Sequence, residues 1–126
     1  MECNIYTIYS ITCIDEKVKG IYVGSTKDSA NRQSKHKEYL NDKNKNHIKL
    51  YKYMNENKGL LNWEFTCLQI RNCTEYDARI LERLWYDKLD ADLNTNKPYI
   101  TIEEKQISRA ESDKRLYIEN KQAISL

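Results

Sequence analysis

Two tyrosines, an arginine, a histidine, a glutamate and an asparagine are the residues of this chain best suited to chemistry. Tyr6 and Tyr22 stand in the runs "NIYTIYSI" and "GIYVGST", each directly after an isoleucine. Such tyrosines can pack a sheet, or their hydroxyls can face a reacting group. Arg32, His36 and Leu40 are spaced i, i+4, i+8 and form one row along a helix. A guanidinium binds phosphate with two donors, and an imidazole exchanges a proton near neutral pH. The plain alternative is two polar residues on a solvated face. Glu82 flanks the apolar stripe of a later helix, where a carboxylate is costly unless partnered. It can pair with Arg79, three residues back, or hold Mg²⁺, which takes one or two carboxylates and keeps several waters. Asn94 lies twelve residues beyond Glu82 in "LDADLNTNKP", where an asparagine ordinarily serves a turn.

The elements that must position these groups can be read from the pattern. "NIYTIYSIT" (4–12) is β-branched and aromatic, without a helical stripe, and predicts a strand. "CIDEKVKG" is a polar connection to a second strand, "GIYVGS", paired antiparallel with the first. Gly24 suggests a close backbone approach or a turn out of the sheet. Ser25, Thr26 and Asp28 are capping candidates for a helix reaching about Asp42. Ile48, Leu50, Tyr51 and Met54 fall on helical spacing, with Gly59 as the stop. "NWEFTCLQIR" reads as a third strand with Cys67 in the core. Thr74 opens the most strongly patterned helix, whose stripe is Tyr76, Ile80, Leu81, Leu84 and Trp85, and "DLNTNKP" stops it. A helix-compatible stretch runs from Ile102 to about Asn120. The order β-β-α-α-β-α predicts an α+β fold, a small three-stranded antiparallel sheet flanked by helices. Residues 1–98 form the domain and 99–126 a helical tail.

A chain of 126 residues fits one domain, and 32% charged with 40% hydrophobic residues is ordinary for a folded protein. No apolar run approaches the roughly 20 residues of a membrane span, and "MECNIY" lacks a signal peptide's basic and apolar regions. An intracellular location, cytoplasmic or nuclear, with no membrane partner, is expected. The four cysteines form no CxxC pair, which favours free thiols over disulfides or zinc. The net charge of +2 is unevenly spread: residues 17–58 carry eleven Lys/Arg against four Asp/Glu. That basic segment suits a polyanionic partner, although a solvated lysine-rich surface would look the same.

Taken in order, the singled-out residues resemble the GIY-YIG nuclease family over about residues 5–98. "IYTI" is similar to the first half-motif, "IYVGST" to the second, "RQSKH" to the arginine with its histidine, "LERLW" to the glutamate and "LNTNKP" to the asparagine loop. Asn4 and Val23 replace the glycine and isoleucine of the family's name, and Ser25 stands where some members carry lysine, with Lys27 two places on. The resemblance implies the fold outlined above and hydrolysis of a DNA phosphodiester with one divalent ion, Mg²⁺ or Mn²⁺, on Glu82. It implies Tyr6 as general base with His36 accepting or relaying its proton, Tyr22 lining the site, Arg32 neutralising the transition state and Asn94 orienting it. Gly24, Ser25, Lys27 and Lys35 are the expected nucleic-acid contacts. With no room for an added DNA-binding domain, selectivity is expected to come from DNA structure, a homodimer or a separate partner. The alternative is a non-catalytic nucleic-acid-binding module that retains the fold, or a protein-interaction domain whose tyrosines only pack the sheet.

Overall fold

The computed structural model describes residues 2–57 and 62–107. A long central strand, β1 (Cys3–Cys13), is flanked by β2 (Ile21–Thr26) and by β3 (Trp63–Thr74), both antiparallel to it, in the order β2-β1-β3. Its alternation splits two cores. Tyr9 and Ile11 point to one face, where Leu40 of α1 (Ser29–Leu40) and Leu50, Tyr51 and Met54 of α2 (Lys49–Glu56) cover them. Ile8 points to the other face with Val23, against Leu81, Trp85 and Leu89 on and just past α3 (Glu75–Lys88). The α+β architecture read from the sequence is the one observed.

Local chemistry sets the ends of these elements. Asp28, rather than Ser25 or Thr26, caps α1, its carboxylate accepting from the Asn31 amide at 3.1 Å. Thr74 caps α3 through the Asp77 amide at 3.2 Å. At the far end of α3, the Ala91 amide donates to the Tyr86 carbonyl and the Asp90 amide to the Asp87 carbonyl, while Asp90 takes φ 52°. That is a Schellman stop with aspartate in the left-handed position usually given to glycine. It ends the helix at Lys88, short of the "DLNTNKP" loop. Gly20 closes the β1–β2 connection at φ +126°, and a Cβ there would lie 2.7 Å from the Tyr53 ring. The expected stop at Gly59 lies outside the described residues. Residues 102–107 are helical, and the rest of the expected tail helix also lies outside.

Two core assignments are overturned. Tyr76 and Leu84, read into the apolar stripe of α3, are exposed, and it is Leu81, Trp85 and Leu89 that pack on the sheet. Cys67 keeps the phase of Trp63 and Phe65 and pairs with Tyr9, but it is exposed on the edge strand β3, where a bulge follows it: Ile8 pairs with Gln69 but Tyr9 with Cys67. The extra residue, Leu68, and its neighbour Gln69 both serve the α3 face, Leu68 by packing in that core and Gln69 by accepting from the Trp85 indole at 2.9 Å. Simple alternation cannot register an inserted residue. All four cysteines are free thiols.

Candidate active site

The outer edge of β2 is sealed by the segment after α3, and this begins the site. Asp92 and Leu93 donate their amides to the Ile21 carbonyl at 3.0 and 3.1 Å, and the Asp92 carboxylate accepts from the Ile21 amide at 2.8 Å. Asn94 then spends its whole carboxamide on one residue. Its Oδ1 accepts from the Val23 amide at 3.1 Å and its Nδ2 donates to the Val23 carbonyl at 2.8 Å. A side-chain amide thus imitates one rung of a neighbouring strand and fixes β2 between Tyr22 and Gly24.

Paired residues of antiparallel strands point the same way. Tyr9 pairs with Gly24 and Ile11 with Tyr22, so Tyr22 shares a face with Tyr9, and Tyr6 faces the opposite side. The two tyrosines still reach one cleft, because β2 ends at Thr26 opposite Thr7 and leaves Tyr6 beyond its end. This cleft, of about 710 Å³, wraps around that end and is lined by Tyr6, Tyr22, Arg32, Glu82 and Asn94. Its cations, Lys27, Arg32, Lys45, Arg79 and Lys97, outnumber its carboxylates, Glu75 and Glu82.

Arg32 is held from behind by a buried polar chain. Its Nε donates to the Tyr9 hydroxyl at 3.2 Å, which lies 2.9 Å from His36 Nε2, and His36 Nδ1 lies 2.9 Å from the Tyr51 hydroxyl. The arginine can only donate, so the Tyr9 hydroxyl accepts from it and is best placed to donate its own proton to Nε2, leaving the imidazole N–H on Nδ1 for Tyr51. Burial and the neighbouring Arg32 charge lower the His36 pKa to about 4, so the ring is neutral at pH 7. Burial raises Tyr9 far above the ordinary phenol range, with Tyr22 adding to the shift and Arg32 opposing it, and raises Tyr51 to about 12. Desolvation is the largest influence on Arg32 and lowers its pKa, but the bond to Tyr9 and the interactions with Tyr9 and Tyr22 together leave it raised, so the guanidinium stays charged. Gly24 makes room for the chain: a Cβ there would come within 2.5 Å of the Tyr9 oxygen.

Glu82 reaches the cleft from α3, across the sheet from Arg32. Burial raises its pKa to about 7, with the charges of Arg79 and Arg32 and a hydrogen bond from the Ser25 backbone opposing the shift. Arg79, its expected helix partner, is ion-paired with Glu75 at 3.4 Å instead. A carboxylate kept partly dehydrated at the wall of a cation-rich cleft suits a hard divalent ion that keeps most of its waters. No set of three His, Cys, Asp or Glu side chains able to cage a metal occurs among the described residues. The Glu82 carboxylate is of the donor type that fits a hard divalent ion completed by water and phosphate.

The cleft gathers Tyr6, Tyr22, Arg32, Glu82, Asn94, Ser25 and Lys27. His36 stands behind it, only 6% exposed, with both ring nitrogens committed to Tyr9 and Tyr51. The expected proton transfer from Tyr6 to His36 therefore has no direct hydrogen bond here, and Tyr6 packs with Cys73, Ala78 and Leu81 on the other face. Gly24 is buried beneath the site, and Lys35, outside the cleft, pairs with Glu38 at 3.6 Å. Tyr9 and Tyr51 are the residues that sequence reasoning undervalued. The parity of the β1–β2 register was the signal for Tyr9, and a connection of unknown turn geometry hides that parity.

A comparison with protein-family models matches the GIY-YIG catalytic domain to residues 5–97. The three-stranded sheet, the flanking helices and the cleft at the end of β2 accordingly define a nuclease-type domain. The chain belongs to the GIY-YIG nuclease family. Neither the curated proteins nor the solved structures gave a match. No helix among the described residues is long and apolar enough to cross a membrane.

Proposed function

We propose that the protein is a divalent-metal-dependent endonuclease that hydrolyses phosphodiester bonds of DNA in the cleft at the end of β2. The observation that carries this reading is the convergence of Arg32 from α1 and Glu82 from α3, from opposite sides of the sheet, on one cation-rich cleft that also holds Tyr6 and Tyr22. Glu82 would hold Mg²⁺ or Mn²⁺, which when bound supplies Lewis-acid polarisation of the phosphate. Arg32, kept charged and anchored at Nε by Tyr9, meets negative charge developing on the phosphorus oxygens. Tyr6 and Tyr22 are the two motif hydroxyls lining the cleft, and one of them, having given its own proton to solvent, would take the proton of the attacking water. His36 stays neutral and links Tyr9 to Tyr51, a positioning role rather than that of the proton acceptor. Lys27, Lys45 and Lys97 draw the DNA backbone to the cleft.

The test is conversion of supercoiled plasmid to nicked or linear forms with Mg²⁺ or Mn²⁺, beside Glu82→Ala, Arg32→Ala, Tyr6→Phe and Tyr22→Phe. Loss of Arg32 should slow cleavage about 10²–10³-fold. Cleavage that survives Glu82→Ala unchanged, or its absence with every divalent ion, overturns the reading. DNA retention without cleavage would instead identify a binding module.

A further inference from the structure

A second cavity, of about 520 Å³, opens directly beside the cleft and shares Tyr6, Lys27, Glu75 and Arg79 with it. The two therefore share one wall, and they differ in chemistry. In the cleft five cations face two carboxylates, a lining suited to phosphate. In the annex Lys27 and Arg79 are balanced by Glu2 and Glu75, and Asn4 adds both a donor and an acceptor. A formally neutral wall of mixed donors and acceptors does not concentrate phosphate, but it matches the hydrogen-bonding edge of a nucleobase.

An aromatic ring completes the annex. Tyr76 at the start of α3 is 54% exposed, too open to be core. It is nevertheless held in place: its ring meets that of Tyr99 edge-on at 5.8 Å, and the two hydroxyls lie 3.2 Å apart. Tyr99 is fixed in turn, its carbonyl accepting from Arg83 at 2.5 Å. An aromatic side chain immobilised at the surface, beside polar groups and one step from a phosphate-binding cleft, is a stacking platform with its ordering cost already met.

We propose that this annex is a base-binding subsite that takes one unpaired nucleotide adjoining the phosphate in the cleft. Tyr76 stacks on the base, Asn4 and Glu2 face its edge, and Lys27 and Arg79 span the shared wall. The inference rests on the nuclease reading for the phosphate in the cleft. It makes the substrate a DNA with an extrahelical or single-stranded nucleotide at the cut site, since a base stacked inside a duplex cannot enter.

The experiment measures binding of full-length protein, in EDTA, to a fluorescent single-stranded octamer and to the same octamer with abasic sites throughout. Both carry the same phosphate charge, so the ratio of their dissociation constants isolates the bases. Wild type should bind the normal octamer about ten-fold more tightly or better, Tyr76→Phe should keep that ratio, and Tyr76→Ala should bring it near one. Circular dichroism and thermal melting confirm that both variants are folded. Equal affinity of wild type for the two octamers, or a ratio unchanged in Tyr76→Ala, overturns the subsite. Base-dependent binding without cleavage of either plasmid or a duplex carrying one unpaired nucleotide leaves the subsite standing and removes the hydrolytic reading, whereas cleavage with equal affinities does the reverse.

Discussion

Replacing Glu82 by glutamine should stabilise the metal-free protein at pH 8 and do almost nothing at pH 4.5. Burial holds the folded-state pKa near 7 against an ordinary value of 4.5. A group whose pKa is raised on folding contributes stability that is full below its unfolded pKa and is lost as pH rises through its folded one. At pH 8 the ionised carboxylate therefore costs about 3.4 kcal/mol at most, from 1.36 kcal/mol per unit over the shift. Partial solvent access at the cleft wall reduces this to about 1–2 kcal/mol. Glutamine keeps the size and removes the titration, so Tm should rise by roughly 4–8 °C at pH 8. His36 acts with the opposite sign: its pKa falls on folding to about 4, so its contribution is full above 6.5 and lost as pH falls through about 4. The two nearly cancel in the pH profile of the wild type between about 4.5 and 6.5, and only the difference between wild type and Glu82→Gln exposes the glutamate. The assay is thermal melting of both proteins in EDTA from pH 4.5 to 8, repeated with Mg²⁺. Added Mg²⁺ should raise the melting temperature of wild type at pH 8 and leave the variant unmoved. A difference between the two that does not change with pH would refute the reasoning.

Gly24→Ala should destabilise the fold by about 1–3 kcal/mol, since the new methyl meets the Tyr9 hydroxyl, with Tyr9→Phe giving only partial relief because the ring carbon is at 2.6 Å; denaturant titration of the single and double variants checks this. Asn94→Ala should cost about 1–3 kcal/mol by unmaking both bonds to Val23, and Asn94→Asp, which keeps the acceptor but sets a carboxylate oxygen against the Val23 carbonyl, should cost at least as much in the same titration. Tyr9→Phe should lower cleavage by Arg32 misplacement, changing kcat more than KM, and an unchanged kcat would remove the anchoring role. Arg83→Ala should release residues 99–104, because the guanidinium holds Glu104 at 2.6 and 2.9 Å as well as the Tyr99 carbonyl, and hydrogen exchange should speed up there while β1 stays protected.

The strands and helices were legible in the sequence because each carries its own periodicity and caps. The β-branched runs of β1 and β2 and the Thr74 cap need nothing from the rest of the chain to be read, whereas the stripe of α3 was only partly legible: Leu81 and Trp85 pack on the sheet but Tyr76 and Leu84 are exposed. So were the chemical candidates, because a phosphate-cleaving site needs cations, hydroxyls and a carboxylate, and Arg32, Tyr6, Tyr22 and Glu82 are the types that supply them. What tertiary structure alone decided is which of these groups meet. Whether His36 serves Tyr6 or Tyr9 depends on strand parity, set by the geometry of the turn between β1 and β2 and moved to the opposite face by one residue of slip. Cys67 has the parity of a core residue, opposite Tyr9, and is exposed only because β3 is the sheet's edge, which alternation does not reveal. The neutrality of His36 and the raised pKa of Glu82 belong to no residue by itself. They come from desolvation by segments distant in sequence, and only the packed fold brings those segments together.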